Sequence, residues 1–246
     1  MPDSVAPVTA DPYGWLLNLE GVPSAYAAAR DGIDVLLRDR GLRRTSPETT
    51  GESLLRGAHA SAVLEGSESS YDDVLAGEGD QVARDAVRLS TVLLAESPRL
   101  LTAPLQVFAR LHSVAAAGSL PEEQLGRPRD AASATRLRQV ADLITARSEL
   151  PALVVAALVH ADLATSAPFG SHNGIVARAA ERLVLVARGV DAKSLVVPEA
   201  GHLGLRPQYE SNLRGYASGS DAGLHSWLLY AAEAYAAGAE ASPVKG

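Results

Sequence analysis

The 246-residue chain contains no cysteine. That absence excludes a disulfide framework, thiolate metal sites, zinc ribbons and cysteine nucleophiles, whatever the redox compartment. Lysine is nearly missing as well, with only Lys193 and Lys245. The 22 basic residues stand against 29 acidic ones, for a formal net charge of −7. The arginines are scattered rather than massed, so there is no basic footprint for phosphate backbones or anionic lipid, and neither nucleic acid nor a membrane is an expected partner. No apolar run approaches a bilayer span, and the longest lies around Pro151 to Val159. The first residues, MPDSVAPVTADPYGW, have neither a basic n-region nor an apolar h-region, which gives the expectation of a cytoplasmic protein. What the chain does have is 47% hydrophobic residues and enough length to bury a core without staples. Alanine and leucine make up about a third of it, the skew of a GC-rich bacterial genome.

Hydrophobic periodicity is helical almost throughout, and no segment shows the sustained alternation of a half-buried strand, so the fold class is all-α. A first helix is expected from Ser24 to about Arg38, with Ala29, Ile33, Leu36 and Leu37 on one face. Ser46-Pro47 reads as an N-cap followed by proline at the first helical position, starting a helix that runs to Leu64 and stops at Gly66. A short helical turn follows at Tyr71 to Ala76, then a longer helix to about Glu96, ended by Ser97-Pro98. Further helices are expected over Ala103–Ala117, Ala131–Arg147, Pro151–Thr165, Asn173–Arg188, Arg206–Tyr216 and Asp221–Ala237, with the tail ASPVKG frayed. The pair at 151–165 and 173–188 is apolar almost all round and belongs in the centre. No internal repeat or linker is visible, which gives one domain over residues 1–246.

Histidines come first among candidates for chemistry. His59, His112, His160, His172, His202 and His225 are scattered, no pair has HExxH spacing, and no carboxylate spacing completes a triad, so no metal site is expected. There is no GxSxG elbow, GxGxxG loop or P-loop, which leaves nucleophilic catalysis without sequence support. The informative stretch is HADLATSAPFGSHNGIVARAAERLVL, His160 to Leu185, where an apolar helix breaks at Pro168 and a second begins at Asn173. The second helix turns free backbone N–H groups and its positive dipole end toward the loop, and Gly170 and Gly174 allow close approach of a ligand. Such a corner suits an anion such as phosphate. The same residues equally suit any buried helix-loop-helix that needs glycine and a cap.

This stretch resembles the signature of the Fic family, whose enzymes transfer AMP or another phosphate-containing moiety to a hydroxyl side chain. The family motif, HPFxDGNGRxxR, laid over residues 167–178 matches at Pro168, Phe169, Asn173, Gly174 and Arg178. It departs at Ala167 in place of the catalytic histidine, Ser171 in place of the metal-binding acid, His172 in place of the first motif glycine and Ile175 in place of the first arginine. His160 stands where the family has an upstream histidine, and RPQYESNLRGY with the helix around Trp227 resembles the family's C-terminal region. Separately, Ser61 to Gly66 resembles the [S/T]xxxE[G/N] end of the inhibitory helix of autoinhibited members, whose glutamate, here Glu65, pairs with the second motif arginine, here Arg178. The resemblance covers residues 45–238 and implies a Fic-like helical bundle, with 1–44 an N-terminal extension and helix and 239–246 a tail. The loop from Gly118 to Asp130 is too short for the usual β-hairpin flap.

Much of the family mechanism is missing from these residues. Ala167 cannot take a proton, a task worth roughly 10² to 10⁴ in rate. Ser171 is a poor magnesium ligand, so magnesium is not expected, and Ile175 removes a cation from the phosphate site. The resemblance therefore implies a catalytically degenerate Fic-like protein acting as a binding or regulatory module, not an AMP transferase by the family mechanism. A residual nucleotide or phosphate pocket would use Gly170, Ser171, Asn173, Gly174 and Arg178, with Ser61 and Glu65 regulatory. Two alternatives stay open: a Fic-scaffold enzyme with altered chemistry on a phosphate-containing small molecule or protein hydroxyl, for which His172 is the candidate base, and a plain helical scaffold. Expected partners are an unidentified protein, a nucleotide and, from the alanine-rich helical faces and the family habit, a second copy of the chain.

Overall fold

The computed structural model describes residues 11–38 and 46–244. The N-terminal residues MPDSVAPVTA, on which most of the targeting expectation rests, residues 39–45, and the last two residues of the tail lie outside the described residues. The helices are α1 (Val22–Leu36), α2 (Pro47–Leu64), α3 (Tyr71–Ala76), α4 (Gln81–Leu93), α5 (Ser97–Leu100) and α6 (Pro104–Ala115). They continue with α7 (Ala131–Thr145), α8 (Ala152–Ser166), α9 (Asn173–Ala187), α10 (Pro198–Gly204), α11 (Arg206–Ala217) and α12 (Asp221–Glu240). The only β pairing among the described residues is one isolated bridge, Ala117 with Leu120, so the fold is all-α. No described helix is long and apolar enough to cross a membrane.

The starts of these helices follow local chemistry. The Ser46 hydroxyl accepts from Thr49 N ahead of Pro47, Ser70 and Asp73 form a reciprocal capping box, and Asp80, Asp130 and Ser220 cap α4, α7 and α12. Two expectations and one omission need correction. The chain does not leave helical geometry at Ser97-Pro98: it tightens into a 3-10 turn at Leu94–Glu96 and restarts as α5, because Pro98 sits in the first turn, where its missing N–H costs nothing. The short α10 has too few residues for a periodic pattern and rests on Pro198 at its start. The tail is not frayed through Val244: Ser242 is buried, and Arg56 Nη1 donates to Ala241 O at 3.1 Å.

At the centre, α8 and α9 pack along each other, with α2, α4, α5 and α6 against α9, and α7, α11 and α12 against α8. Every residue from Leu153 to Leu163 and from Ile175 to Leu185 is buried, so neither helix presents a solvated face over these stretches, and α9 buries Arg178, Glu181 and Arg182 along with its apolar residues. On the outer side α10 crosses α12 backbone to backbone: Val197 N donates to Gly238 O at 3.0 Å, and a Cβ on Gly201 would overlap Ala234 O. Gly201→Ala is expected to cost about 1–3 kcal/mol through overpacking. That corresponds to a fall of about 3–10 °C in Tm, measurable by calorimetry. An unchanged Tm would mean that α10 can lift from α12 without loss.

Candidate functional site

The corner between α8 and α9 is built from two left-handed residues that are not glycine, Ala167 at φ 43° and His172 at φ 56°. Such a conformation is strained for an L-residue and is held only where its surroundings over-determine it. Here they do. Asn173 Oδ1 accepts from Phe169 N at 2.9 Å and its Nδ2 donates to Phe169 O at 3.1 Å, clamping the loop. Phe169 stacks on His112 with ring centroids 4.3 Å apart and planes 7° from parallel. His112 Nδ1 accepts from Gly126 N at 2.9 Å, and burial, reinforced by His172, lowers its pKa to about 4. Arg129 N donates to Pro168 O at 2.9 Å, so the 117–130 segment lies across the corner as a loop with a 3-10 turn at Glu122–Gln124 instead of a hairpin. Gly170 is exposed, and a Cβ placed on it would come into van der Waals contact with Leu120 and Gln124 from that loop.

The first turn of α9 meets the end of α2. Arg178, 1% exposed, donates from Nη2 to Glu65 Oε1 at 2.7 Å and to Ser61 O at 3.1 Å, and from Nε to Ser61 Oγ at 2.9 Å. Its Nη1 donates to the Tyr209 hydroxyl at 2.9 Å. The Glu65 carboxylate lies directly on Gly174, where any Cβ would overlap Oε1. An acidic group therefore stands at the positive end of α9, the place where that helix would best receive an anion. Ser61, Glu65, Gly174 and Arg178 are brought together. Ile175 is buried, lining with Ala58, Ala86 and Leu89 a narrow space between α2, α4 and α9.

Ser171 and His172 belong to a second cluster. The Ser171 hydroxyl is 2.6 Å from His172 Nδ1, and His172 Nε2 is 2.9 Å from Asp85 Oδ2 on α4. Asp85 also accepts from Gln81, Arg88 and Ser119. Its burial pushes the carboxyl pKa up, but hydrogen bonds from His172, Arg88 and Gln81 outweigh that and hold it below the usual carboxylate value. His172 is the N-cap residue of α9 by position, yet its side chain makes no capping bond.

A third cluster lies wholly in the core. His160 Nδ1 and His202 Nε2 meet Glu181 Oε2 at 2.8 and 3.0 Å, and the Tyr235 hydroxyl donates to Oε1 at 2.9 Å. The other ring nitrogens meet the hydroxyls of Tyr209, at 3.0 Å, and Tyr230, at 2.8 Å. The histidines that looked scattered in the chain thus include two that share one carboxylate. Three such groups could in principle ligate a metal. Their separations are those of N–H···O bonds and every other ring nitrogen already has a partner, so the donor set fits a closed hydrogen-bond network better than an ion. Burial pushes Glu181 up but the two histidines pull it well below the ordinary carboxylate range, and burial lowers His160 to about 4 against the opposing pull of Glu181. Glu181 and Asp162 both point away from the corner, Asp162 toward Arg136 and the Tyr216 hydroxyl.

No family model matches the sequence, and no curated protein matches it either. Solved structures of similar fold do match. A Fic family protein from Desulfovibrio desulfuricans G20 superposes with a TM-score of 0.72 at 15% identity, over 90% of this chain and 74% of that one. The chain has a Fic-like fold. A fragment of Fic-1 from C. elegans superposes with a TM-score of 0.67 at 15% identity, over 89% of this chain and 71% of its own length. A Glu-to-Gly variant of that fragment reaches 0.63 over 94% and 73%. Within this Fic-like scaffold, sequence reasoning missed Asp85 and assigned no role to Tyr209, Glu181 and His202. No local pattern marks them, since each is an ordinary helical residue whose partners lie on other helices.

Proposed function

We propose that this is a catalytically degenerate Fic-like protein acting as a binding or regulatory module, with a phosphate- or nucleotide-accepting corner held shut by Glu65. The observation that carries the reading is the Glu65 carboxylate seated on Gly174 and bonded to Arg178. A carboxylate there competes with any phosphate for the same helix end and the same cation. The departures at Ala167, Ser171 and Ile175 support the loss of the family's transfer chemistry, because none of these side chains can supply a strong base, a metal carboxylate or a second cation.

Titration calorimetry with adenine and guanine nucleotides, with and without magnesium, tests this on the wild type, Glu65→Gly and Arg178→Ala. Removing the resident carboxylate is expected to tighten nucleotide binding at least about tenfold, the equivalent of one charge-assisted contact. Arg178→Ala is expected to abolish it. Silence from a folded Glu65→Gly protein across the panel would reduce the Glu65–Arg178 pair to a strut between α2 and α9.

A further inference from the structure

Arg178 and Glu65 leave Ser171, His172 and Asp85 unused, and those three are connected in a chemically specific way. Asp85, with a side chain 2% exposed, receives four side-chain donors and offers His172 only an acceptor, so the imidazole proton that faces it is on Nε2. In the Nε2–H tautomer the ring has a bare lone pair on Nδ1, and the Ser171 hydroxyl, 2.6 Å away, donates to it. A hydroxyl aimed at a base, with the base fixed by a buried acid, is the arrangement that activates serine nucleophiles, here with the two ring nitrogens exchanged.

We propose that Ser171 is a nucleophile toward small, uncharged carboxylic esters, with His172 as its base and Asp85 as the positioning residue. Ser171 and His172 are partly buried and Gly170 beside them is exposed, which places the pair at the edge of the fold. The Glu65 carboxylate at Gly174 selects against anionic substrates, and Leu120 and Gln124 over Gly170 limit their size. The Ser171 Oγ bonds to the ester carbonyl carbon while its proton passes to His172 Nδ1. Collapse breaks the bond to the alkoxy oxygen, which leaves as the alcohol with that proton. Water then attacks the acyl-serine, giving its proton to Nδ1, and the acid departs as Ser171 is reprotonated. This reaction is independent of nucleotide binding, which can fail without affecting it.

The test is covalent labelling by a fluorophosphonate probe, followed by intact-mass and peptide mass spectrometry, alongside hydrolysis of p-nitrophenyl acetate. The wild type is expected to gain one adduct, mapped to Ser171, and Ser171→Ala none. His172→Gln should label at least about a hundredfold more slowly, the lower end of a general base's contribution. Asp85→Asn should slow labelling and shift the His172 ring-nitrogen NMR signals away from the Nε2–H form, a signature that lost packing alone would not produce. Absence of an adduct on folded wild-type protein, an adduct that survives Ser171→Ala, or equal rates in His172→Gln would each overturn the proposal.

Discussion

Glu181→Ala is expected to destabilise the protein by about 3–5 kcal/mol, the usual effect of removing one partner from a buried charged cluster. The Glu181 carboxylate sits between His160, His202 and Tyr235, all fully buried, and accepts from each of them. Without it three donors are stranded in a region with no access to water, and each buried unsatisfied group costs about 1–3 kcal/mol. The loss spreads further, because His160 also orders Tyr209 and Tyr209 receives Arg178, whose other arm holds Glu65. Urea denaturation at pH 7 measures the effect. Glu181→Gln is expected to fall between wild type and alanine, since the amide keeps one acceptor but turns an N–H toward a donor. A loss below about 1 kcal/mol for alanine would show that the two histidines find other partners.

Acidification from pH 7 to pH 5 is expected to cost about 3–4 kcal/mol of stability. His160 and His112 are both held near pKa 4, chiefly by burial, against an ordinary value of 6.5. The unfolded chain therefore binds these two protons in the window from about 6.5 down to 4 while the native state does not. Stability is full above that window and falls as pH drops through it. Each histidine contributes roughly 2 kcal/mol between pH 7 and 5 on this linkage. Below pH 4.5 the depressed Glu181 carboxyl adds to the loss in the same direction, since the unfolded chain then protonates it first. Because His160 and Glu181 are hydrogen-bonded, they titrate as one unit in that lower range. Urea midpoints at pH 7, 6 and 5 give the slope directly. A flat profile would require His112 and His160 to be protonated in the native state.

Residues near one another in the chain carried most of the fold. The capped and Pro-started α2 occupies Pro47–Leu64, as Ser46-Pro47 and Gly66 indicate, because caps and left-handed glycines act within one turn. The almost all-round apolar α8 announces its central place for a similarly local reason, whereas α9 buries Arg178, Glu181 and Arg182 and is central only because other helices satisfy them. The pairing of Glu65 with Arg178 was legible only through the resemblance of two short segments to one family, since 113 residues separate them. Nothing local predicted that His172 would turn from its own helix to Asp85, 87 residues away, or that His160 and His202 would share Glu181. Those meetings depend on which faces of α4, α8, α9 and α10 oppose each other, and helix packing sets that angle and rotation from side chains summed over whole interfaces. Local sequence therefore establishes which helices form and where the corner lies, while tertiary packing selects the partners of each polar side chain, because a buried polar group must be satisfied by whatever the opposing helix presents.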